Sequence, residues 1–255
     1  MMLFVTVPIG ILIGVVLGLV GSGGALMSTP LLMISGHFSF QAASTSALFV
    51  VLSSSALSLI VRKREFTPKN LILKAIIWGM LGAPIGVWAS HYVSNDIARL
   101  ILVILLVSAA LLTWDSKERD KASISGGSRP WLETVLFAFV GVMTGLTGIG
   151  GGYVLVPVLH LISGLKFKQA ISASLYVVVA NAAVAMSFRA VNGLNLEADQ
   201  WQATGILVAA ALIGSVVGSM LSNRLNRQIV QKTFAIMLFL LSATLLIQVA
   251  LPLAA

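Results

Sequence analysis

Cysteine is absent from the 255 residues, which excludes disulfide bonds, thiolate metal sites and cysteine nucleophiles. Charged residues are also scarce, at 9% of the chain, whereas a soluble domain carries roughly 25%. So few charges cannot cover a water-facing surface, and apolar stretches of about 20 residues recur along most of the length. The sequence therefore predicts an all-α polytopic membrane protein whose surroundings are the lipid bilayer.

The formal net charge of +8 would suggest a nucleic-acid partner in a soluble protein. In a membrane protein, basic residues instead hold cytoplasmic loops in place, so we expect no nucleic-acid partner. We also expect no cofactor and no metal, and the sequence leaves a homo-oligomer open. The N-terminal stretch MMLFVTVPIGILIGVVLGLV lacks the basic region of a signal peptide and is interpreted as a retained helix.

Two near copies of one glycine cluster interrupt the apolar runs, GLVGSGG at 18–24 and GLTGIGG at 145–151. Six residues recur at an offset of 127, namely Gly14, Gly18, Gly21, Gly23, Gly24 and Pro30, matched by Gly141, Gly145, Gly148, Gly150, Gly151 and Pro157. Matches continue at offset 128 from Ser35 to Ser46, and at offset 132 for Gly82, Gly86 and Ser90. We therefore interpret the chain as a tandem duplication, with a first repeat at 1–114, a polar cytoplasmic linker at 115–131 and a second repeat at 132–255.

Each repeat is predicted to contain five helical segments. They cover about 3–20, 25–36, 42–61, 71–92 and 97–114 in the first repeat, and 132–147, 152–164, 169–188, 201–222 and 228–250 in the second. At ~1.5 Å per residue, the short segments are only about 18 Å long, against a hydrocarbon core of about 30 Å. Each short segment is therefore expected in a hairpin whose glycine-rich turn lies near the membrane midplane.

The basic residues favour two inverted repeats. With ten crossings and residues 62–70 inside, all basic residues except Arg99 and Arg189 lie on the cytoplasmic side. Eight crossings, with parallel repeats, would move five further basic residues outside and bring Arg189 in. The positive-inside rule prefers the inverted arrangement, with both termini outside.

The glycine clusters predict an anion site. Irregular backbone at membrane depth is tolerated only where protein, water or a ligand satisfies its polar groups. Each cluster precedes a short helix, whose first free N–H groups, around Gly24–Met27 and Gly151–Val154, would point back into the break. A helix N-terminus carries about half a positive charge and attracts anions. The alternative is that the glycines only permit tight helix packing, and we favour that reading for Gly14, Gly18, Gly82 and Gly86.

Polar side chains next to the clusters extend this hypothesis. Serines lie in the first turns of the helices that start at QAASTSA (41–47) and QAISASL (169–175), where hydroxyls either cap the helix or donate to an oxyanion. Asn181 lies mid-span and contacts either substrate or a neighbouring helix. The candidate substrate-binding residues are Gly21, Ser22, Gly23, Gly24, Ala25, Ser44, Ser46, Gly148, Gly150, Gly151, Gly152, Ser172, Ser174 and Asn181.

All eight acidic residues lie in loops or at helix ends, so neither a sodium cage nor a carboxylate proton relay can be drawn in mid-membrane. The basic residues lie near helix ends as well, so we expect the anion to be held by backbone dipoles and hydroxyls. With the inside negative, one negative charge moving outward gains about 2.3 kcal/mol per 100 mV. This favours electrogenic efflux without a coupling ion. His160 is interpreted as structural, with proton relay as the alternative, and His37 and His91 as interfacial.

The doubled motif, GSGGALMSTPLL and GIGGGYVLVPVL with QAASTSA and QAISASL after it, resembles the TauE/SafE family of sulfite and organosulfonate exporters, a group that includes permease-type transporters of 4-toluene sulfonate. The resemblance spans almost the whole chain, although Ala25 stands where the second copy has Gly152. It implies a bacterial inner-membrane transporter of small sulfur-containing anions such as sulfite, sulfoacetate or related organosulfonates.

Three other functions compete with export. A proton-coupled uptake carrier for the same anions remains open, because sequence does not encode a gradient, and so does a passive anion channel. An intramembrane serine hydrolase built on Ser22 is disfavoured, because a nucleophile needs a base within hydrogen-bond reach and the three histidines are scattered. We therefore expect a transporter and no enzyme.

Overall fold

The computed structural model describes residues 2–35, 38–61, 68–114, 130–165, 167–194, 196–222, 225 and 227–250, and these residues form helices and short connections without strands. The α-helices are α1 (Met2–Val20), α2 (Ser28–Ile34), α3 (Phe40–Val61), α4 (Lys69–Ser90), α5 (Asn95–Trp114), α6 (Pro130–Thr147), α7 (Gly152–Pro157), α8 (Phe167–Asn192), α9 (Ala198–Ser222) and α10 (Arg227–Ala250). A 3-10 helix, Gly21–Met27, joins α1 to α2, and a π-helical turn, Val158–Ile162, continues α7. The predicted linker falls almost entirely outside the described residues.

In the described segments, six helices are long and apolar enough to cross a bilayer, and they correspond to α3, α4, α5, α8, α9 and α10. Shorter apolar helices cover Thr6–Val20, Gly24–Ile34 and Trp131–Thr147. Large apolar side chains such as Ile85, Trp88 and Ile104 point outward from the bundle, where hydrocarbon accommodates them without cost. The chain is thus an all-α multi-pass membrane protein, as predicted.

Glycines bring α1 and α9 into backbone contact. A Cβ on Gly14 would collide with the carbonyl group of Ala211, and one on Gly18 with the carbonyl group of Ser215. Because the residue numbers rise together along both helices, α1 and α9 run parallel. This matches the small-residue packing expected for Gly14 and Gly18.

The same contacts recur between α6 and α4. A Cβ on Gly141 would meet the carbonyl group of Gly79, and one on Gly145 the carbonyl group of Ala83. Gly141 and Gly145 correspond to Gly14 and Gly18 at the offset of 127, while Ala211 and Ser215 correspond to Gly79 and Ala83 at the offset of 132. Each first helix of a predicted repeat therefore packs on the fourth helix of the other repeat, at equivalent positions. Gly82 and Gly86 belong to the same interface, as predicted.

Hydrogen bonds show which helix ends lie together. The Phe40 amide at the start of α3 donates to Asn95 Oδ1 at the start of α5 at 2.9 Å, so both helices begin at one end of the bundle, here called the α3-start face. Arg189, in the last turn of α8, bonds to residues in the first turns of α3. Lys74 Nζ and Glu133 Oε2, 2.9 Å apart, join the second turn of α4 to the first turn of α6 at the opposite end, the α3-end face. Helices α3 and α8, which are equivalent in the sequence repeat, therefore run antiparallel.

Candidate functional site

The two predicted hairpins, α1–α2 and α6–α7, meet inside the bundle. Thr29 Oγ1, in the first turn of α2, donates a buried hydrogen bond of 2.6 Å to the carbonyl oxygen of Thr147, the last residue of α6. The 3-10 helix of the first hairpin contacts α7 of the second, and both elements contact α8. The two glycine clusters therefore lie next to each other, between α3 and α8.

The second glycine cluster forms a left-handed turn. Gly148, Gly150 and Gly151 have φ values of 73°, 81° and 61°, a conformation that favours glycine. The amides of Val154 and Leu155 both donate to Gly151 O at 3.1 Å and so begin the helical hydrogen bonding of α7. The N–H groups of the preceding residues lie ahead of that first bond, as at any helix start.

The first glycine cluster has a different conformation, and this corrects a prediction. Residues Gly21–Met27 form a 3-10 helix between two helices with right-handed backbone, and α2 starts at Ser28. The amides of Gly24–Met27 therefore belong to a 3-10 helix, where each bonds three residues back, and do not form a free helix start. Gly24 lies directly on α1, since a Cβ would come within 2.5 Å of Leu17 Cα, so the segment folds back on the helix before it.

The glycine turn of the second hairpin was predicted near the membrane midplane, and it extends from there toward one face of the bundle. A Cβ on Gly150 would lie 2.7 Å from Val51 and 3.1 Å from Val178, near the midpoints of α3 and α8. Gly148 instead packs against the carbonyl group of Ser44, two helical turns nearer the α3-start face. The turn therefore connects the middle of the bundle with that face.

The predicted serines bond mostly within the protein. Ser44 Oγ donates to Gln41 O at 3.1 Å and Ser174 Oγ donates to Ile171 O at 2.8 Å, each inside its own helix. Ser46 Oγ lies 2.7 Å from Thr204 Oγ1 of α9.

Ser44 and Ser46 do not cap their helix, which was the alternative role predicted for these serines. The helix α3 starts at Phe40, earlier than predicted, and its first amides bond to Asn95 and Ser39. Ser44 and Ser46 are therefore inside the helix.

Among the predicted site residues, Asn181 most clearly has a side chain whose hydrogen-bonding groups lack partners. Its side chain is fully buried at 0% exposure, and neither Oδ1 nor Nδ2 has a hydrogen-bond partner. The amide lies against Gly79 of α4, where a Cβ would come within 2.5 Å of Oδ1. A buried amide without partners costs stability, so such groups generally mark a place that water or a ligand fills.

Two buried hydroxyls at the hairpin junction have no hydrogen-bond partner either, and neither was predicted from the sequence. They are Ser28 Oγ in the first residue of α2 and Tyr153 Oη in the second residue of α7. Their position near the starts of the two short helices, within a few residues of the glycine clusters, was the signal that could have identified them.

The remaining predicted residues are placed as follows. Gly24, Ala25 and Gly152 are buried in the junction, and Ser172 is half-buried in α8. The surroundings of Gly21, Ser22 and Gly23 lie outside what the structure describes.

The histidines of the described chain bond to main-chain carbonyls. His160 Nδ1 lies 2.7 Å from Leu165 O, after the π-helical turn, and His91 Nδ1 lies 3.0 Å from Val87 O. Both contacts fit structural roles, while His37 falls outside the described residues.

One buried cation was not singled out from the sequence. Arg189 is only 4% exposed, and its guanidinium donates to the carbonyl oxygens of Gly145 and Leu146 at the end of α6. We expected basic residues only near helix ends, and Arg189 does lie in the last turn of α8, but its side chain points into the bundle. Its position inside a long apolar span was the signal that could have identified it.

The acidic residues of the described segments lie at helix ends, as predicted. Asp96 pairs with Arg99 at 3.0 Å, Glu133 pairs with Lys74, and Glu197 and Asp199 are exposed. The other four, Glu65, Asp115, Glu118 and Asp120, fall outside the described residues. Within the described segments, no group of three or more histidine and acidic side chains could hold a metal ion.

Comparison with known proteins adds the following. Residues 6–245 match the family described as "Sulfite exporter TauE/SafE". A probable membrane transporter protein of Xylella fastidiosa is 27% identical over 88% of this chain and 86% of its own length. A probable membrane transporter protein of Methanocaldococcus jannaschii is 30% identical over 67% of each chain. One of Haemophilus influenzae is 27% identical over 66% of this chain, which covers 64% of that protein. No solved structure matches significantly.

Proposed function

Because the chain belongs to the sulfite exporter TauE/SafE family, we propose that it exports a small sulfur-containing anion, such as sulfite, sulfoacetate or a related organosulfonate, across the bacterial inner membrane. The anion would bind at the junction of the two hairpins. Its partners there would be the glycine turn at 148–152, Asn181, and the hydroxyl groups of Ser28 and Tyr153. The other predicted site residues would surround this junction.

The unpaired side chain of Asn181 is the observation on which this proposal depends. An amide with 0% exposure and no partner, in the middle of an apolar helix, is stable only if something else satisfies it for part of the transport cycle. Neutral donors such as amides and hydroxyls bind an anion weakly enough for it to be released again. The left-handed turn adds N–H groups at the start of α7, although this helix has only six residues and supplies a small dipole.

Inverted repeats would explain how this site opens to each side in turn. We infer inversion from the antiparallel run of the equivalent helices α3 and α8 and from the exchanged glycine contacts of α1 and α6. Two equivalent halves of opposite orientation provide the framework on which many secondary transporters alternate their access. With residues 62–70 in the cytoplasm, both termini would lie outside.

Export requires no coupling ion in this mechanism, since an inside-negative potential already drives a negative charge outward by about 2.3 kcal/mol per 100 mV. The acidic residues of the described segments lie at helix ends, which is in keeping with this. The test is efflux of sulfite, sulfoacetate and thiosulfate from liposomes that contain the purified protein, with and without an imposed inside-negative potential.

The expected result is efflux of at least one of these anions that the potential accelerates, and that Gly150→Val abolishes. Accumulation of a labelled sulfonate that an uncoupler abolishes would instead identify a proton-coupled uptake carrier. A unitary conductance in planar bilayers would identify a passive channel. No movement of any of the anions would refute the proposal.

A further inference from the structure

Arg189 combines a full positive charge with almost complete burial. It lies in the last turn of α8, within an apolar span of 24 residues, and only 4% of its surface is exposed. Ionisable side chains inside membrane spans are costly, and they generally pair with one another or mark the path of an ion or substrate. The contacts of Arg189 indicate which of these applies.

The guanidinium bonds only to neutral oxygen atoms in the described part of the chain. Nη1 donates to Thr45 Oγ1 at 2.8 Å and to Gln41 O at 3.3 Å, while Nη2 donates to Gly145 O at 3.0 Å and to Leu146 O at 3.5 Å. The last two carbonyls belong to the final turn of α6, whose dipole offsets part of the charge. A carboxylate is missing from these contacts, so the charge has no full counterion there.

One edge of the guanidinium is available for a stronger partner. Nε and Nη2 lie on the same edge, where Nε has no hydrogen-bond partner and the bond from Nη2 to Leu146 O is the longest of the four. Two oxygens of one oxyanion match this edge as a bidentate acceptor, and such charge-assisted bonds are roughly twice as strong as neutral ones. An oxyanion on this edge would satisfy Nε and compete with a bond from Nη2 to Gly145 O or Leu146 O.

Arg189 also lies next to the proposed anion site. Thr45 follows Ser44, whose carbonyl group packs against Gly148, and Gly145 and Leu146 directly precede the glycine turn. The positive charge is therefore located at the end of the turn that is nearer the α3-start face.

We propose that Arg189 binds the transported anion through its Nε–Nη2 edge and is the residue that selects anionic over neutral solutes. This rests on the proposed function. Because the same guanidinium ties the end of α6 to the start of α3, an anion that binds Nη2 would compete with its contacts to α6. Anion binding would therefore weaken the link between these two helix ends, and loss of the anion would restore it.

The test uses the purified full chain in liposomes and measures the rate of sulfite efflux against internal sulfite concentration. Arg189→Gln removes the charge, and Arg189→Lys keeps it without the two-donor edge. Arg99→Gln is the matched control, since Arg99 is an arginine of the α5 first turn, near the same face, that pairs with Asp96. The second measurement is the rise in the unfolding midpoint that sulfite produces in each protein.

We expect Arg189→Gln to raise KM roughly ten- to a hundredfold, the loss of one or two charge-assisted hydrogen bonds. Arg189→Lys should lie between it and wild type, Arg99→Gln should match wild type, and sulfite should no longer protect Arg189→Gln from unfolding. Where Arg189→Gln does not fold, the Lys variant gives the answer through its KM.

Unchanged KM in both Arg189 variants, with a lower kcat or unfolding midpoint, would mean that Arg189 only caps α6 and would overturn the inference. So would failure of both variants to fold, which would mark a purely structural clamp. Wild-type protein that moves none of the tested anions would instead refute the proposed function itself, and this inference with it.

Discussion

At the scale of single residues, the space around each glycine decides what the glycine does. In α1 and α6, glycines let two backbones touch, while in the turn at 148–151 they adopt left-handed conformations. Gly205 of α9 does neither, because a Cβ there would meet nothing within 4 Å. The same residue type should therefore respond to substitution in opposite directions at these positions.

Gly14→Ala should destabilise the protein by about 1–3 kcal/mol, because the new methyl group collides with the backbone of Ala211 and the helices must separate. Gly205→Ala is the matched control and should stabilise by roughly 0.5–1 kcal/mol through its helix propensity. Thermal unfolding of both variants in detergent measures the difference. A Gly14→Ala midpoint at or above that of wild type would show that α1 and α9 do not pack as described.

Asn181→Leu should lower the rate of transport without lowering the stability of the protein. Leucine keeps the branched skeleton and removes an amide that has no partner, but its methyl groups are larger and press on Gly79. These two effects, each of about 1–3 kcal/mol, oppose each other, so the unfolding midpoint should change little. Anion efflux should fall at least about tenfold if the amide binds substrate. The two readouts are the unfolding midpoint and liposome efflux. A large drop in midpoint would instead mean that the amide holds the helices together.

At the scale of elements, the two hairpins use similar glycine clusters to form different structures. The α1–α2 hairpin passes through a 3-10 helix that packs on α1, whereas the α6–α7 hairpin passes through a left-handed turn next to α3 and α8. The residue after the cluster differs as well, Ala25 in one and Gly152 in the other. Within the described residues, only the second hairpin has left-handed glycines at the proposed site, whereas the first contributes the start of α2 at Ser28.

Gly150→Ala should therefore be more harmful than a substitution at another left-handed glycine. Gly164 has a φ of 70° with nothing within 4 Å of its Cβ, so Gly164→Ala should cost only the left-handed backbone, about 1–2 kcal/mol. Gly150→Ala adds a contact of 2.7 Å with Val51, so its cost should be larger and transport should be lost. Unfolding midpoints and efflux rates of the two variants, compared side by side, test this. Equal losses would show that the space around Gly150 does not matter.

At the scale of the whole molecule, the predicted topology places the loop after α8 outside and the linker after α5 inside. The natural chain has no cysteine, so a single introduced cysteine reports on its own position. Glu197 is exposed in the loop after α8, so Glu197→Cys should react with a membrane-impermeant maleimide added to intact cells. Ser116→Cys, in the linker, should react only after the cells are permeabilised. The reverse pattern would invert the orientation, and equal labelling of both would contradict the ten-crossing topology.

The helices were predictable because long apolar runs and polar breaks set their limits, and most ends agree to within a single helical turn. The close helix contacts were predictable because glycines recur at fixed offsets, as Gly14 and Gly141 do, while the repeat itself stays a prediction. The 3-10 form of Gly21–Met27 was not predictable, because glycine-rich backbone accepts either conformation and contact with α1 decides between them. The apolar span around Arg189 was a local signal for its burial, but its contacts were not predictable, because the carbonyls of Gly145 and Leu146 are distant in the sequence and lie on another helix.

The exchange of first helices between the two halves has a consequence for biosynthesis. The helix α1 leaves the ribosome well before its partner α9, which is completed only at Ser222. Until then the glycine-lined side of α1 has no helix to pack against, and lipid or an insertion chaperone must contact it instead. The first half made alone should therefore be degraded rapidly, and the two halves made from separate genes should rescue each other.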